Sequence, residues 1–164
     1  MAVRSAAILL HRRGPAGREV WIAHMGGPYW ARKDEGAWTL PKGLVEANDV
    51  DSNGDVDELA AARREFAEEM GTASPDAVYV PLGDFRASGK TFVVFAAEAD
   101  FGPIELASNE FELEWPPRSG VVRTFPEVDD AGWYPIGDAR AKLAKGQRPI
   151  LDALQRTLGE SGSD

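Results

Sequence analysis

Apolar and polar positions along the chain follow a two-residue period at first and change to a helical period once, near the middle. Residues 3–10 are small and β-compatible, and residues 19–25 (EVWIAHM) alternate. With the segment from Gly14 to Gly17 between them they predict a hairpin. Residues 26–37 carry Gly, Pro, Trp and charged side chains and read as a long surface loop. Trp38, Thr39 and Leu40 form a short strand stopped by Pro41. After an acidic loop at 48–57, Leu59, Ala62, Phe66 and Met70 fall on one helical stripe that ends at Gly71. Residues 78–85 and 91–98 predict a strand pair turned by Ser88 and Gly89. Residues 102–127 read mostly as loop, with a short strand at 121–124. A short strand at 132–134, helices at 136–145 and 148–158, and a frayed tail at 159–164 complete the reading. Strands with interspersed helices predict an α/β or α+β sandwich, organised as one domain over residues 1–158.

Composition narrows the function classes. The 164 residues suit one domain with a real core. Cysteine is absent, which excludes a disulfide framework, a thiolate metal site and a cysteine nucleophile. No apolar run is long enough to cross a bilayer, and the first residues, Met1 to Ser5, lack the regions of a signal peptide. A cytoplasmic protein is the expectation. The formal net charge of −9 repels nucleic-acid backbones and anionic membranes, so neither is an expected partner. A small phosphorylated substrate is compatible with that charge, because a bound metal ion inverts the local field.

The chemistry concentrates in the predicted helix. Glu65, Glu68 and Glu69 are related by i, i+3 and i+4, so three carboxylates share one face. Unpaired, they repel one another; such a face is commonly just solvated, but it also suits a hard divalent cation, which takes carboxylate, phosphate and water oxygens. Phe66 and Met70 point the other way, toward the core.

The surrounding residues favour the second reading. Leu40-Pro41-Lys42-Gly43, followed by Arg64-Glu65-Phe66-x-Glu68-Glu69-x-Gly71, resembles the box of the Nudix hydrolase family, G-x5-E-x7-R-E-U-x-E-E-x-G-U, with U a bulky apolar residue. The order of the flanking strands, and Pro135 to Ala139 at a helix start, are similar as well. Residues 27–33 and 114–120 resemble a bacterial subgroup of nucleotide pyrophosphohydrolases. The resemblance implies a Nudix-like α/β/α sandwich with a mixed central sheet. It implies Glu68 and Glu69 as metal ligands and Glu65 as a ligand or the base that activates water. Arg64 would orient a carboxylate. Gly43 would let the loop approach the site closely, or act as an ordinary turn glycine. A further ligand is expected from outside the helix: Glu127 is the first choice, with Glu112 and Glu114 as competitors. The implied metal is Mg²⁺, with Mn²⁺ as the alternative.

The spacing departs from the box. Gly43 to Arg64 is 64 − 43 = 21 positions against 14 in the motif, so about seven residues are inserted. The first motif Glu has no clear counterpart; Asp55 or Asp57 is the expected substitute. Thr72 stands where an apolar residue is usual. The insertion contains Asp49, Asp51, Asn53, Gly54 and Asp55, which match the start of an EF-hand calcium loop, although position twelve is Ala60 rather than Glu. An acidic turn and a Ca²⁺ site are the two readings of that segment. Among the basic residues (Lys42, Arg32, Lys33, Lys90 and Arg118), Lys42 stands out beside Gly43, and Lys42, Gly43 and Arg32 are the candidate substrate contacts. Tyr29, Trp30 and Trp115 are candidates for stacking on a base.

The expected function is metal-dependent hydrolysis of a phosphoanhydride in a nucleoside diphosphate linked to another group: a nucleoside triphosphate, a dinucleoside polyphosphate or a nucleotide sugar. The enzyme would be a monomer or homodimer. Two rivals are a non-catalytic nucleotide sensor on the same fold and a calcium-regulated protein using residues 49–57.

Overall fold

The computed structural model describes residues 3–87 and 89–159. Ser88 of the expected 88–89 turn and the expected tail beyond Gly159 lie outside the described residues. The first hairpin is longer than the alternation implies. Strands β1 (Val3–Gly14) and β2 (Gly17–Met25) run antiparallel and close at Gly14 against Gly17. Then come β3 (Trp38–Thr39), β4 (Lys42–Leu44) and helix α1 (Glu58–Met70). Strands β5 (Val80–Ala87) and β6 (Lys90–Glu98) form the next pair, and β7 (Glu110–Glu114), β8 (Val122–Pro126) and β9 (Val128–Pro135) follow. Helices α2 (Ile136–Lys142) and α3 (Arg148–Leu158) end the described chain.

Seven strands share one sheet in the order β3-β2-β1-β6-β5, with β4 added to β1 and β9 to β2. The β1–β6 pairing is parallel and the others are antiparallel, so the sheet is mixed. A parallel pair needs a long crossover, and here it contains α1. Because β1 is central, both of its faces are covered, which explains its nearly unbroken apolar run. Ala6, Ile8 and Leu10 meet Ala61, Ala62, Phe66 and Met70 of α1. Ala7 and Leu9 face the opposite side, where Ile136, Ala139, Ile150, Leu151 and Leu154 of α2 and α3 complete a second core. The result is the expected α/β/α sandwich. Each large side chain that these layers bury is worth about 1.5–3 kcal/mol.

Helix α1 starts and stops where local chemistry requires. Asp57 accepts a hydrogen bond from the Ala60 amide at 3.0 Å, and Gly71 (φ 76°) donates its amide to Ala67 at 2.8 Å. Three expectations need correction. The helix expected at 136–145 ends at Lys142, because Leu143 turns extended before a single 3₁₀ turn at Lys145–Gln147. The 132–134 strand is longer; Asp129 and Asp130, which follow the buried Val128 at its start, are polar and exposed and conceal the pattern. The expected loop at 102–127 contains the β7–β8 hairpin, where Phe111 packs near Phe125 at 6.0 Å. No helix among the described residues is long and apolar enough to cross a membrane.

Candidate active site

Strand β4 seats the site against α1. Its pairing with β1 sets Gly43 opposite Ala6 and Lys42 opposite Ala7, and its other side faces the glutamate face of the helix. A Cβ on Gly43 would collide with the Glu65 carboxyl group, so only glycine allows this approach. The Lys42 amide donates to Glu69 Oε1 at 3.2 Å. These contacts place Glu65, Glu68 and Glu69 in a cleft of about 310 Å³ together with Ser5, Lys42, Lys90, Asn109 and Glu127. The glutamates therefore face a walled cleft beside Gly43.

Arg64 organises the opposite side of that face. Its guanidinium meets both oxygens of Asp49 at 2.9 Å and donates to the Leu44 carbonyl at 2.9 Å. It also reaches Glu65 at 2.8 Å and Glu68 at 3.1 Å. The Asp49 carboxyl group is buried and accepts the Glu46 amide at 2.8 Å. Asp49 thus corrects the expectation that Asp55 or Asp57 replaces the first motif Glu. Counted from the glycine, 49 − 43 = 6, the offset of that Glu in the box, and the extra residues all follow it. Because the insertion lies between Asp49 and Arg64, the motif offset taken backward from Arg64 falls on Val56 instead. Asp57 is instead the helix cap.

Burial and crowding tune the carboxyl groups. Glu69 is pushed up to about 8, first by burial, against the opposing pull of the Lys42 amide and ammonium; Glu65 and Glu127 raise it further. Burial also raises Glu65, opposed by Arg64. Lys42 is lowered from its ordinary value, again mainly by burial. Asp49 is held below the usual aspartate range by Arg64.

The three helix glutamates do not meet at one point. Among the described residues no three His, Asp or Glu side chains form a closed metal-binding group. The physical reason is Arg64, whose charge draws the Glu65 and Glu68 carboxylates toward itself. The donor set still fits a hard divalent cation: five carboxylates, Glu46, Glu65, Glu68, Glu69 and Glu127, line one cleft, and the half-buried Glu69 carries an ionisation penalty that a cation would relieve.

The other candidates divide clearly. Glu127, at the junction of β8 and β9, lines the cleft as the sequence suggests. Glu114 accepts the Arg118 and Gly120 amides at the β7–β8 turn, and Glu112 lies on the exposed face of β7. Arg32 is exposed and lines neither this cleft nor its neighbour. Lys33 stands 3.7 Å over the Tyr29 ring. In the 49–57 segment, Asp49 faces Arg64, and Asp51 accepts the Asn53 and Asp55 amides at 2.8 and 3.1 Å. Val50 bridges Val56, and Asp57 donates its amide to Asp49 at 2.7 Å, so the loop is closed by its own bonds.

Two features escaped the sequence reading. Asn109 and Glu127 join the base of the β7–β8 hairpin through a 2.8 Å backbone bond, and Asn109 also donates its amide to the Glu68 carbonyl at 2.9 Å. The alternation of Glu110-Phe111-Glu112-Leu113-Glu114 was the available signal. The second feature is an adjoining cleft of about 560 Å³ that shares Lys42, Glu69, Lys90 and Glu127 and extends to Met25, Trp30, Phe92 and Lys145. Lys145 belongs to the 3₁₀ turn, which the pattern had merged into a helix.

A family model described as NUDIX domain matches residues 1–154. No curated protein matches the chain. Solved structures share the fold at low identity. A C. elegans Ap4A hydrolase binary complex aligns at TM-score 0.62 and 20% identity, covering 96% of this chain and 98% of that one. The NUDIX domain of Shewanella oneidensis NrtR complexed with ADP ribose gives 0.61 and 16%, with 96% and 89% covered. A MutT protein from Methanosarcina mazei Go1 gives 0.59 and 14%, with 97% and 96% covered. The match over nearly the whole chain, on a sandwich that carries the box glutamates in one cleft, shows that the protein belongs to the NUDIX family of pyrophosphohydrolases.

Proposed function

We propose that this Nudix pyrophosphohydrolase cleaves a phosphoanhydride bond in a nucleoside diphosphate linked to another group, using a divalent cation held by Glu65, Glu68, Glu69 and Glu127. Mg²⁺ is the first choice and Mn²⁺ the alternative. When bound, the cation would neutralise phosphate charge and activate water for attack at phosphorus. The protein's own groups supply the rest. Glu69 is half-buried in the cleft with its carboxyl group pushed up to about 8, so a cation bound there would favour its ionised form. Glu65, raised in the same direction and locked against Gly43, is the candidate to take the proton from water. Arg64 fixes Glu65 and Glu68 and is itself anchored by Asp49. Lys42 offers an ammonium group to phosphate oxygens at the junction of the two clefts.

The observation that carries this reading is the half-buried Glu69 in a cleft shared with four other glutamates. The test is product release from nucleoside triphosphates, diadenosine tetraphosphate and ADP-ribose with Mg²⁺, with Mn²⁺ and with EDTA. Wild type should turn over a member of this panel only with the cation, and Glu69→Gln should lose about 10²–10⁴-fold while keeping its fold. Equal turnover by the two proteins would reject the assignment.

A further inference from the structure

The adjoining cleft bears on the group beyond the diphosphate, and the inference rests on the proposed hydrolase reading. The chain has five lysines, at 33, 42, 90, 142 and 145, in a protein of net charge −9. Three of them, Lys42, Lys90 and Lys145, line this one cleft, which opens from the glutamate end. Lys90 starts β6 and Lys145 starts the 3₁₀ turn, so they come from elements far apart in sequence. Their approach is built in: a Cβ on Gly146 would collide with the Cβ of Ala87, so a glycine there lets the turn lie directly against β5. Among the described residues neither Lys90 nor Lys145 is held in an ion pair. The other two lysines are engaged, Lys142 with Asp34 at 2.9 Å and Lys33 over Tyr29.

The neutral polar groups of the cleft are already used. Gln147 accepts the Leu40 amide and donates to Thr39 Oγ1, both at 2.9 Å, and Thr39 donates to the Leu40 carbonyl at 2.8 Å. A sugar hydroxyl entering here would find its neutral partners engaged with one another. A chain of phosphates would meet ammonium groups, which bind phosphate as point charges.

We propose that the substrate carries a polyphosphate of at least three phosphates, with Lys90 and Lys145 as specificity-determining contacts to the phosphates beyond the scissile bond. A nucleoside triphosphate or a dinucleoside polyphosphate fits this chemistry; a nucleotide sugar does not.

Two measurements test it on the full chain. In steady-state kinetics with Mg²⁺, wild type should show a higher kcat/KM for ATP or diadenosine tetraphosphate than for ADP-ribose. The double variant Lys90→Ala/Lys145→Ala should raise KM for the polyphosphates by about tenfold or more with little change in kcat, the signature of lost binding common to ground and transition states. Its KM for ADP-ribose should rise several-fold less, because Lys145 lines only the adjoining cleft while Lys90 lines both. A preference of wild type for ADP-ribose, or equal KM changes for all substrates, would overturn the proposal. Calorimetry with inorganic tripolyphosphate separates this idea from the hydrolase reading. Wild type should bind it, more weakly at high salt, and the double variant should lose about tenfold in affinity. Retained tripolyphosphate affinity in the double variant would also overturn the proposal. If Glu69→Gln turned over substrate like wild type while the tripolyphosphate result held, the hydrolase site would fall and the lysine site would stand.

Discussion

Asp49 and Arg64 are joined at two points, each carboxylate oxygen lying 2.9 Å from a guanidinium nitrogen, across fifteen residues of sequence. Asp49 is buried, and its partner touches Glu65 and Glu68. Removing the charge should therefore cost both stability and catalysis. Asp49→Asn is expected to destabilise the fold by about 2–4 kcal/mol, because Arg64 keeps a charge without its strongest partner. The pH dependence has a defined sign. Arg64 lowers the Asp49 pKa, so its contribution is complete above the ordinary aspartate range and is lost as pH falls through the lowered value. Denaturant unfolding at several pH values should show the gap between wild type and Asp49→Asn closing in acid. A gap that stays constant would mean the pair does not act through charge.

Gly43 and Glu65 make a second prediction. The colliding atoms in a Gly43→Ala variant would be the end of a flexible side chain, so the fold can yield at small cost. The carboxyl group, however, must leave its position in the cleft. The thermal midpoint should fall by no more than a few degrees, while kcat/KM drops about 10- to 100-fold, the scale of a misplaced catalytic group. A variant with wild-type kinetics would show that the close approach is packing alone.

Glu69 predicts a pH trend opposite to that of Asp49. Its folded-state value of about 8 lies above the ordinary 4.5, so ionising it opposes folding. That penalty is absent below the ordinary glutamate range, grows as pH rises through the window between the two values, and is complete above about 8. With EDTA present, the wild-type midpoint should therefore fall on going from pH 5 to about pH 8.5 more than that of Glu69→Gln. Mg²⁺ should offset the loss at the alkaline end in wild type but not in the variant. Parallel pH profiles for the two proteins would show that burial of this carboxyl group carries no such penalty.

These relationships also mark how far the sequence could be read. The helix and its glutamate face were legible because Phe66 and Met70 impose a helical period and a left-handed glycine ends it. The sandwich was legible because β1 is apolar on both faces. Strand β4 was not, since three residues beginning Lys-Gly carry no period and pair only because β1 offers an edge to them. The hairpin at 110–126 stayed hidden because its apolar face is only Phe111 and Leu113 on one strand, followed by Trp115, Pro116 and Pro117. The lysine cleft was out of reach for a different reason. Lys90 and Lys145 come to line one cleft where Gly146 lies against Ala87, which is a property of packing and has no local pattern.

The inserted loop gives the last prediction. Asp49 lies at the motif offset from Gly43, and Arg64 follows it by 64 − 49 = 15 positions, where the box requires 8. The difference is seven residues. The Asp57 amide already bonds to the Asp49 carbonyl at 2.7 Å, and the residues between, 50–56, are exposed. Deleting 50–56 would join Asp49 to Asp57 and restore the spacing of eight without moving Arg64 or the helix cap by much. The deletion variant should fold, retain turnover within a few-fold and keep its Asp49–Arg64 pair, since exposed loop tips tolerate such cuts. Calorimetry with Ca²⁺ completes the test. With Asp49 committed to Arg64 and Asp51 to backbone amides, wild type and the deletion variant should give the same small heats. A saturable Ca²⁺ signal in wild type that the deletion removes would make the loop a calcium site. Loss of turnover in the deletion variant despite a native midpoint would make it part of the catalytic machinery.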